Sequence, residues 1–175
     1  TVTLALDNDE ARQKGTQETL YALAERGIRG YVLTYPKGSK DLDELIKNKG
    51  AETAQGLIDN PEAGYSYLIK CLHSLHCKHE NITDKESRNL LDALIDLDAK
   101  LADDLASKAI TEHITETLGL APELIKDALE KNRASKAQAE RETGFKKLSL
   151  QAERLLKENK YDDLEELYNE QLPSL

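Results

Sequence analysis

The chain opens Thr1-Val2-Thr3-Leu4-Ala5-Leu6-Asp7-Asn8-Asp9-Glu10, a short apolar run that ends in a D-x-D. In an extended strand successive side chains point to opposite faces, so residues two apart share one. Asp7 and Asp9 can therefore converge at a strand end, where hard carboxylate oxygens suit Mg²⁺ or Mn²⁺. Asp and Asn are also common turn and helix-capping residues. Taken alone, the stretch leaves both readings open: a pair of metal ligands, or a turn that caps the next helix.

The next segments narrow the choice. Glu10 to Arg26 reads as a helix, with Ala11, Leu20, Leu23 and Ala24 among its apolar positions and Gly27 at its C-terminus. A second strand follows at Gly30-Tyr31-Val32-Leu33-Thr34, then a turn-rich stretch, Tyr35-Pro36-Lys37-Gly38-Ser39-Lys40, that leads into Asp41-Leu42-Asp43. Strand-helix-strand units join parallel strands by a right-handed crossover, and ligands bind beyond the carboxyl ends of such strands. Both D-x-D pairs lie just past those ends. Together they form a constellation that can hold two metal ions, as nucleotidyl transfer requires. Taken by themselves, Asp41 and Asp43 read first as caps of a helix beginning Glu44-Leu45-Ile46-Lys47.

Leu-Ala-Leu-Asp-Asn-Asp-Glu-Ala at 4–11, then a helix, then a strand ending Tyr-Pro-Lys-Gly-Ser-Lys-Asp-Leu-Asp-Glu-Leu at 35–45, resembles the second half of a Toprim domain. That domain is shared by DnaG-type bacterial primases, topoisomerases and some nucleases. The likeness is to the primases above all, because Tyr65 to Leu72, Thr83 to Leu105 and His113 to Leu124 resemble the helical segments that follow Toprim there. It covers roughly residues 1 to 132. The resemblance implies synthesis of short RNA primers from nucleoside triphosphates on a single-stranded DNA template. It makes Asp7 and Asp9 catalytic, and Asp7, Asp9, Asp41 and Asp43 ligands of Mg²⁺ or Mn²⁺. Two departures stand out. Arg12 occupies a position where the family usually has glycine, and reads as a surface arginine or a phosphate contact. An earlier strand carrying a catalytic glutamate is absent from these residues, so the chain is expected to be a fragment that is inactive alone; the absence of methionine agrees. Other readings are another Toprim enzyme (a nuclease or mobile-element protein) or a non-catalytic helical module that recruits a replication partner.

The expected fold class is α+β, mostly α: a small parallel strand-helix-strand Toprim remnant followed by a helical bundle. The expected divisions are 1–50 for the half-Toprim, 51–133 for a helical subdomain and 134–175 for a helical tail or hairpin. With seven Tyr, one Phe and no Trp, the core must be built from Leu, Ile and Ala. A net charge of −9 argues against this chain being the main DNA-gripping surface, since such grip rests on Lys and Arg neutralising phosphates. No apolar run approaches the ~20 residues that span a bilayer, and no signal peptide is evident; the expected location is the cytoplasm, with no membrane partner. From residue 51 onward the chain reads as helices. Pro61-Glu62-Ala63 starts one of them, and Thr83-Asp84-Lys85-Glu86 fits a capping box. Separate helices are expected at Ser107 to Leu118 and Pro122 to Lys131, and the tail from Ala134 carries a break at Lys160-Tyr161-Asp162-Asp163. By the resemblance, that tail would dock to the replicative helicase; packing onto the bundle is the alternative.

Two cysteines and three of the four histidines crowd into Cys71-Leu72-His73-Ser74-Leu75-His76-Cys77-Lys78-His79. A structural zinc site closes with four ligands from two elements, and no second pair at finger spacing accompanies this cluster. It reads instead as a helix with Leu68, Leu72 and Leu75 turned inward, the histidines at its exposed end and both thiols free.

Overall fold

Two short parallel strands and the helix that crosses between them open the fold. In the computed structural model, which describes residues 1–5, 10–79, 81–158 and 160–171, β1 (Val2–Leu4) leads to α1 (Glu10–Ala24) and β2 (Gly30–Val32). Val2 pairs with Gly30 and Leu4 with Val32 in parallel register. The Leu33 N–H extends the ladder by donating to the Leu4 carbonyl at 2.9 Å. Then follow α2 (Leu42–Lys49), α3 (Ala51–Asp59), β3 (Glu62–Ala63), α4 (Gly64–His76), α5 (Asp84–Leu101), α6 (Asp104–Leu118), α7 (Pro122–Lys157) and α8 (Tyr161–Gln171). The fold is α+β and mostly α, as the sequence indicates. It divides into two compact units, Thr1–Leu129 and Glu130–Leu175.

In the first unit, side-chain alternation along and beyond β2 divides the packing. Val32 enters the larger core with Leu20, Leu68, Ile69, Leu90, Leu94, Ile110, Ile114 and Ile125. Leu33 and Tyr35 join Leu45 and Ala54, with Leu42 and Leu57 against them. The larger core is the bundle expected from the apolar face of residues 90–101. The smaller one fastens the post-β2 segment to α2 and α3.

Residues 61–63 depart from the sequence reading. They do not begin a helix: Glu62 and Ala63 pair antiparallel with Val32 and Tyr31, giving a sheet of order β1-β2-β3. The reason is the glycine that follows. A Cβ on Gly64 would fall 2.8 Å from the Gly30 carbonyl oxygen and 2.7 Å from Leu20 Cδ2. Only a bare backbone lets the start of α4 press against β2, and the pairing gained overrides local helix preference.

Other boundaries also move. The helix expected to end near Lys131 continues unbroken to Lys157, because Asn132 to Ala139 holds no Gly or Pro and three alanines favour the helix. The helix started at Thr83 ends at Leu101, and the next begins at Asp104, earlier than the expected Ser107. Ala102 takes a left-handed conformation (φ 48°), and Asp103 caps α6 by accepting from the Leu105 and Ala106 N–H groups. The capping box at Thr83 and Glu86 is present as read. Leu75, expected inward, is 61% exposed. In the second unit Leu148, Ala152 and Leu167 are buried, whereas Phe145 and Leu150 are exposed. Among the described residues no helix is long and apolar enough to cross a membrane.

Candidate active site at the carboxyl edge of the sheet

Both parallel strands run toward one edge of the sheet. Beyond β1 the chain passes into Asp7 and Asp9, which lie outside the described residues. Beyond β2 it stays extended through Tyr35, then turns at Pro36–Ser39, where the Ser39 N–H donates to the Pro36 carbonyl at 3.1 Å and Gly38 takes φ 89°. The Asn48 side-chain amide donates to the Gly38 carbonyl at 3.1 Å and ties the turn to the end of α2. The Ser39 hydroxyl is buried without a hydrogen-bond partner among the described residues.

Asp41 is the N-cap of α2: its Oδ1 accepts from the Glu44 N–H at 2.7 Å. Glu44 reaches back to accept from the Lys40 N–H at 2.8 Å. Asp43, in the first turn and exposed, pairs with Lys47 one turn on. That contact holds the Lys47 ammonium above its ordinary range, through the hydrogen bond first and the Asp43 charge second. The capping role noted as an alternative for Asp41 is therefore real. It engages one oxygen of the two, and both aspartates offer the hard donors that Mg²⁺ and Mn²⁺ prefer. They do not close a site by themselves: no group of three or more His, Cys, Asp or Glu among the described residues is arranged to hold a metal. The Tyr35 hydroxyl, beneath this turn, is pushed up by burial and then by the Asp41 charge.

The sheet also brings a carboxylate that sequence reading missed. Glu62 pairs across from Val32, and its Oε2 accepts from the Thr34 hydroxyl at 2.7 Å. Lys70 of α4 meets its Oε1 at 2.7 Å. Behind it, burial pushes the Tyr67 hydroxyl up to about 12; Cys71 adds to this and a hydrogen bond with Thr16 opposes it. The Cys71 thiol is likewise raised by burial, against hydrogen bonds with Tyr67 and Gln17. Assigning Glu62 to a helix start hid its place. The Gly64 after it, whose bare backbone presses against Gly30, was the available signal for a strand.

The cysteine-histidine cluster comes apart in three directions. Cys71 faces α1, and both thiols are free. His79 meets Glu86 Oε1 at 2.9 Å, the same oxygen that accepts from the Lys78 N–H. His73 meets His113 of α6 at 3.0 Å, so it is not at an exposed helix end as expected.

Residues 1–46 match the Toprim-like family, a span that contains all four aspartates. No curated protein sequence matches the chain. The structure of the DnaG catalytic core shares the fold at TM-score 0.54 and 16% identity, over 70% of this chain and 40% of that one. A DNA primase domain from Pseudomonas aeruginosa does so at TM-score 0.51 and 20% identity, over 73% of this chain and 40% of that one. The chain thus carries a Toprim-like segment followed by helices in the fold of DNA primase domains, and it spans about 40% of the length of those relatives. The resemblance to DnaG-type primases stands on both the segment and the fold.

Proposed function

We propose that this chain is part of a cytoplasmic DNA primase that joins ribonucleotides into short primers on a single-stranded DNA template. The observation that carries this reading is the parallel β1-α1-β2 unit, lying within a Toprim-like sequence that contains both D-x-D segments. Asp7 and Asp9 are the catalytic carboxylates in this reading, and Asp7, Asp9, Asp41 and Asp43 hold Mg²⁺ or Mn²⁺. The bound ions supply charge neutralisation for the incoming triphosphate and activation of the primer hydroxyl. The protein's own part is to fix the carboxylates: α2 is anchored by Leu45 in the smaller core and holds Asp41 at its cap. Template grip lies elsewhere in the enzyme, in keeping with the acidic net charge.

Mn²⁺ titration by calorimetry, with an Asp7→Ala/Asp9→Ala double variant beside the unmodified chain, tests the metal assignment. Saturable binding that disappears in the variant is expected. In the full enzyme, Asp7→Asn or Asp9→Asn should abolish primer synthesis while leaving the circular dichroism spectrum unchanged; normal synthesis by either variant would sink the reading. A second role rests on the exposed Phe145 and Leu150 of the C-terminal unit: recruitment of the replicative helicase. Loss of helicase co-precipitation on Phe145→Ser would support it, and undiminished capture would remove it.

A further inference from the structure

His73 on α4 and His113 on α6 meet between two helices, apart from the carboxylate residues assigned above. The His73 Nδ1 lies 3.0 Å from the His113 Nε2, with ring centroids 5.1 Å apart and planes at 76°. Both rings are half-buried. The contact is an edge contact, with a nitrogen of each ring at the meeting point. Two neutral imidazoles can make it as a hydrogen bond, one ring donating its N–H and the other accepting.

The same separation suits two nitrogens that share a cation. At the metal–nitrogen distance of about 2.0–2.1 Å usual for histidine, a 3.0 Å spacing subtends roughly 95° at the metal. Near-right angles belong to the tetragonal and octahedral coordination of Ni²⁺ and Cu²⁺, for which imidazole is a favoured ligand. Backbone supports are in place on both sides. α4 and α6 pack into one core through Leu68, Ile69, Ile110 and Ile114, so the ligands are positioned before any ion arrives.

We propose that His73 and His113 form a two-histidine site for a late divalent transition metal, which takes the place of their hydrogen bond and staples α4 to α6. In the bound form His73 carries its proton on Nε2 and His113 on Nδ1, leaving the facing nitrogens as donors. No third His, Cys, Asp or Glu joins them among the described residues, so water completes the shell and the ion exchanges. The site differs in kind from the aspartate edge: borderline nitrogen ligands select nickel or copper, and hard oxygens select magnesium or manganese.

The rival within α4 alone is His73 with His76 or Cys77, three and four residues on. Ni²⁺ titration of the full chain by calorimetry, with thermal melting in parallel, separates the two. A saturable site that raises the melting temperature is expected. Losing a group that merely hydrogen-bonds a metal ligand already weakens a site by about 10–100-fold, so His113→Asn or His73→Asn should weaken binding by at least about tenfold, while His76→Asn/Cys77→Ser leaves it unchanged. Absence of saturable binding, unaltered binding by His113→Asn, or loss in the His76/Cys77 variant overturns the proposal. A measurement on the unmodified protein guards against a variant that folds poorly. On adding Ni²⁺, the ring signals of His73 and His113 should broaden first in the NMR spectrum, and earlier broadening of His76 or His79 would refute the cross-helix site.

Discussion

At the carboxyl edge of the sheet, polar groups find partners a few residues away in the chain. Asp41 accepts from the Glu44 N–H, Glu44 from the Lys40 N–H, and Asp43 pairs with Lys47. Between α4 and α6, His73 finds its partner forty residues on, at His113. The first arrangement is exposed and carboxylate-rich and needs little of the fold beyond one anchored helix. The second exists only because a packed bundle brings two helices together. Chemistry set by local spacing can thus be read from a sequence, whereas chemistry set by packing waits for the fold. If the two regions are held independently, each should yield to substitutions that leave the other intact.

The sharpest break uses the smaller core. Leu45 is fully buried with Leu33, Tyr35 and Ala54. Leu45→Ala should cost about 2–5 kcal/mol in urea denaturation, the range for truncating a buried leucine. Because Leu45 anchors the helix that Asp41 caps, Mn²⁺ binding should weaken with it. Ni²⁺ binding by His73 and His113 should persist, since neither packs against that core. Equal loss of both ions would show that the two regions share one support.

Next in size is the point where sheet and bundle touch. Gly64→Ala places a Cβ 2.8 Å from a backbone oxygen, which cannot move as a flexible side-chain tip can. About 1–3 kcal/mol of destabilisation is expected from such overpacking. Stability unchanged in a chemical melt would mean that β3 can part from β2 at no cost. A smaller effect belongs to the α4–α5 turn, where Thr83→Ala removes an N-cap and should cost about 1 kcal/mol. Here pH gives a second reading. Hydrogen bonds from the Thr83 and Lys78 N–H groups, then His79 and the Thr83 hydroxyl, depress the Glu86 carboxyl to about 2 from 4.5. A carboxyl depressed in the folded state contributes stability that is complete above its unfolded value and fades as pH falls from 4.5 toward 2. Glu86→Gln should therefore flatten the stability profile across that window, and an unchanged acid limb would contradict the network.

The legible parts of this molecule share a short range. The parallel crossover, the Thr83–Glu86 box and the Gly27 and Gly119 helix ends each follow from spacing or from one residue's backbone freedom, and each is present. The Toprim resemblance was readable because strand, helix and D-x-D lie within 46 residues. Glu62 was misplaced because Pro61 is a good helix starter, and only its pairing with Val32 decides otherwise. The length of α7 was misjudged because the reading ended one helix at Lys131 and began the tail at Ala134, a division that the alanines there do not require. The inward stripe assigned to α4 failed at Leu75 because the bundle covers less of that helix than its apolar pattern invites.

The smallest stability change carries the most about mechanism. Asp41 has two claims on it, the helix cap observed here and the metal ligation proposed. Asparagine caps helices about as well as aspartate, whereas alanine costs about 1 kcal/mol. Asp41→Asn should therefore melt within about 0.5 kcal/mol of the unmodified chain and still lose Mn²⁺ affinity, because an amide is a poorer ligand than a carboxylate. Asp41→Ala should lose both. If Asp41→Asn keeps both stability and Mn²⁺ affinity, Asp41 is a cap and nothing more, and the metal set contracts toward Asp7 and Asp9. If it loses affinity alone, the cap and the ligand are separate uses of one carboxylate, with Oδ1 held by the Glu44 N–H and the ion drawing on the charge that the amide lacks.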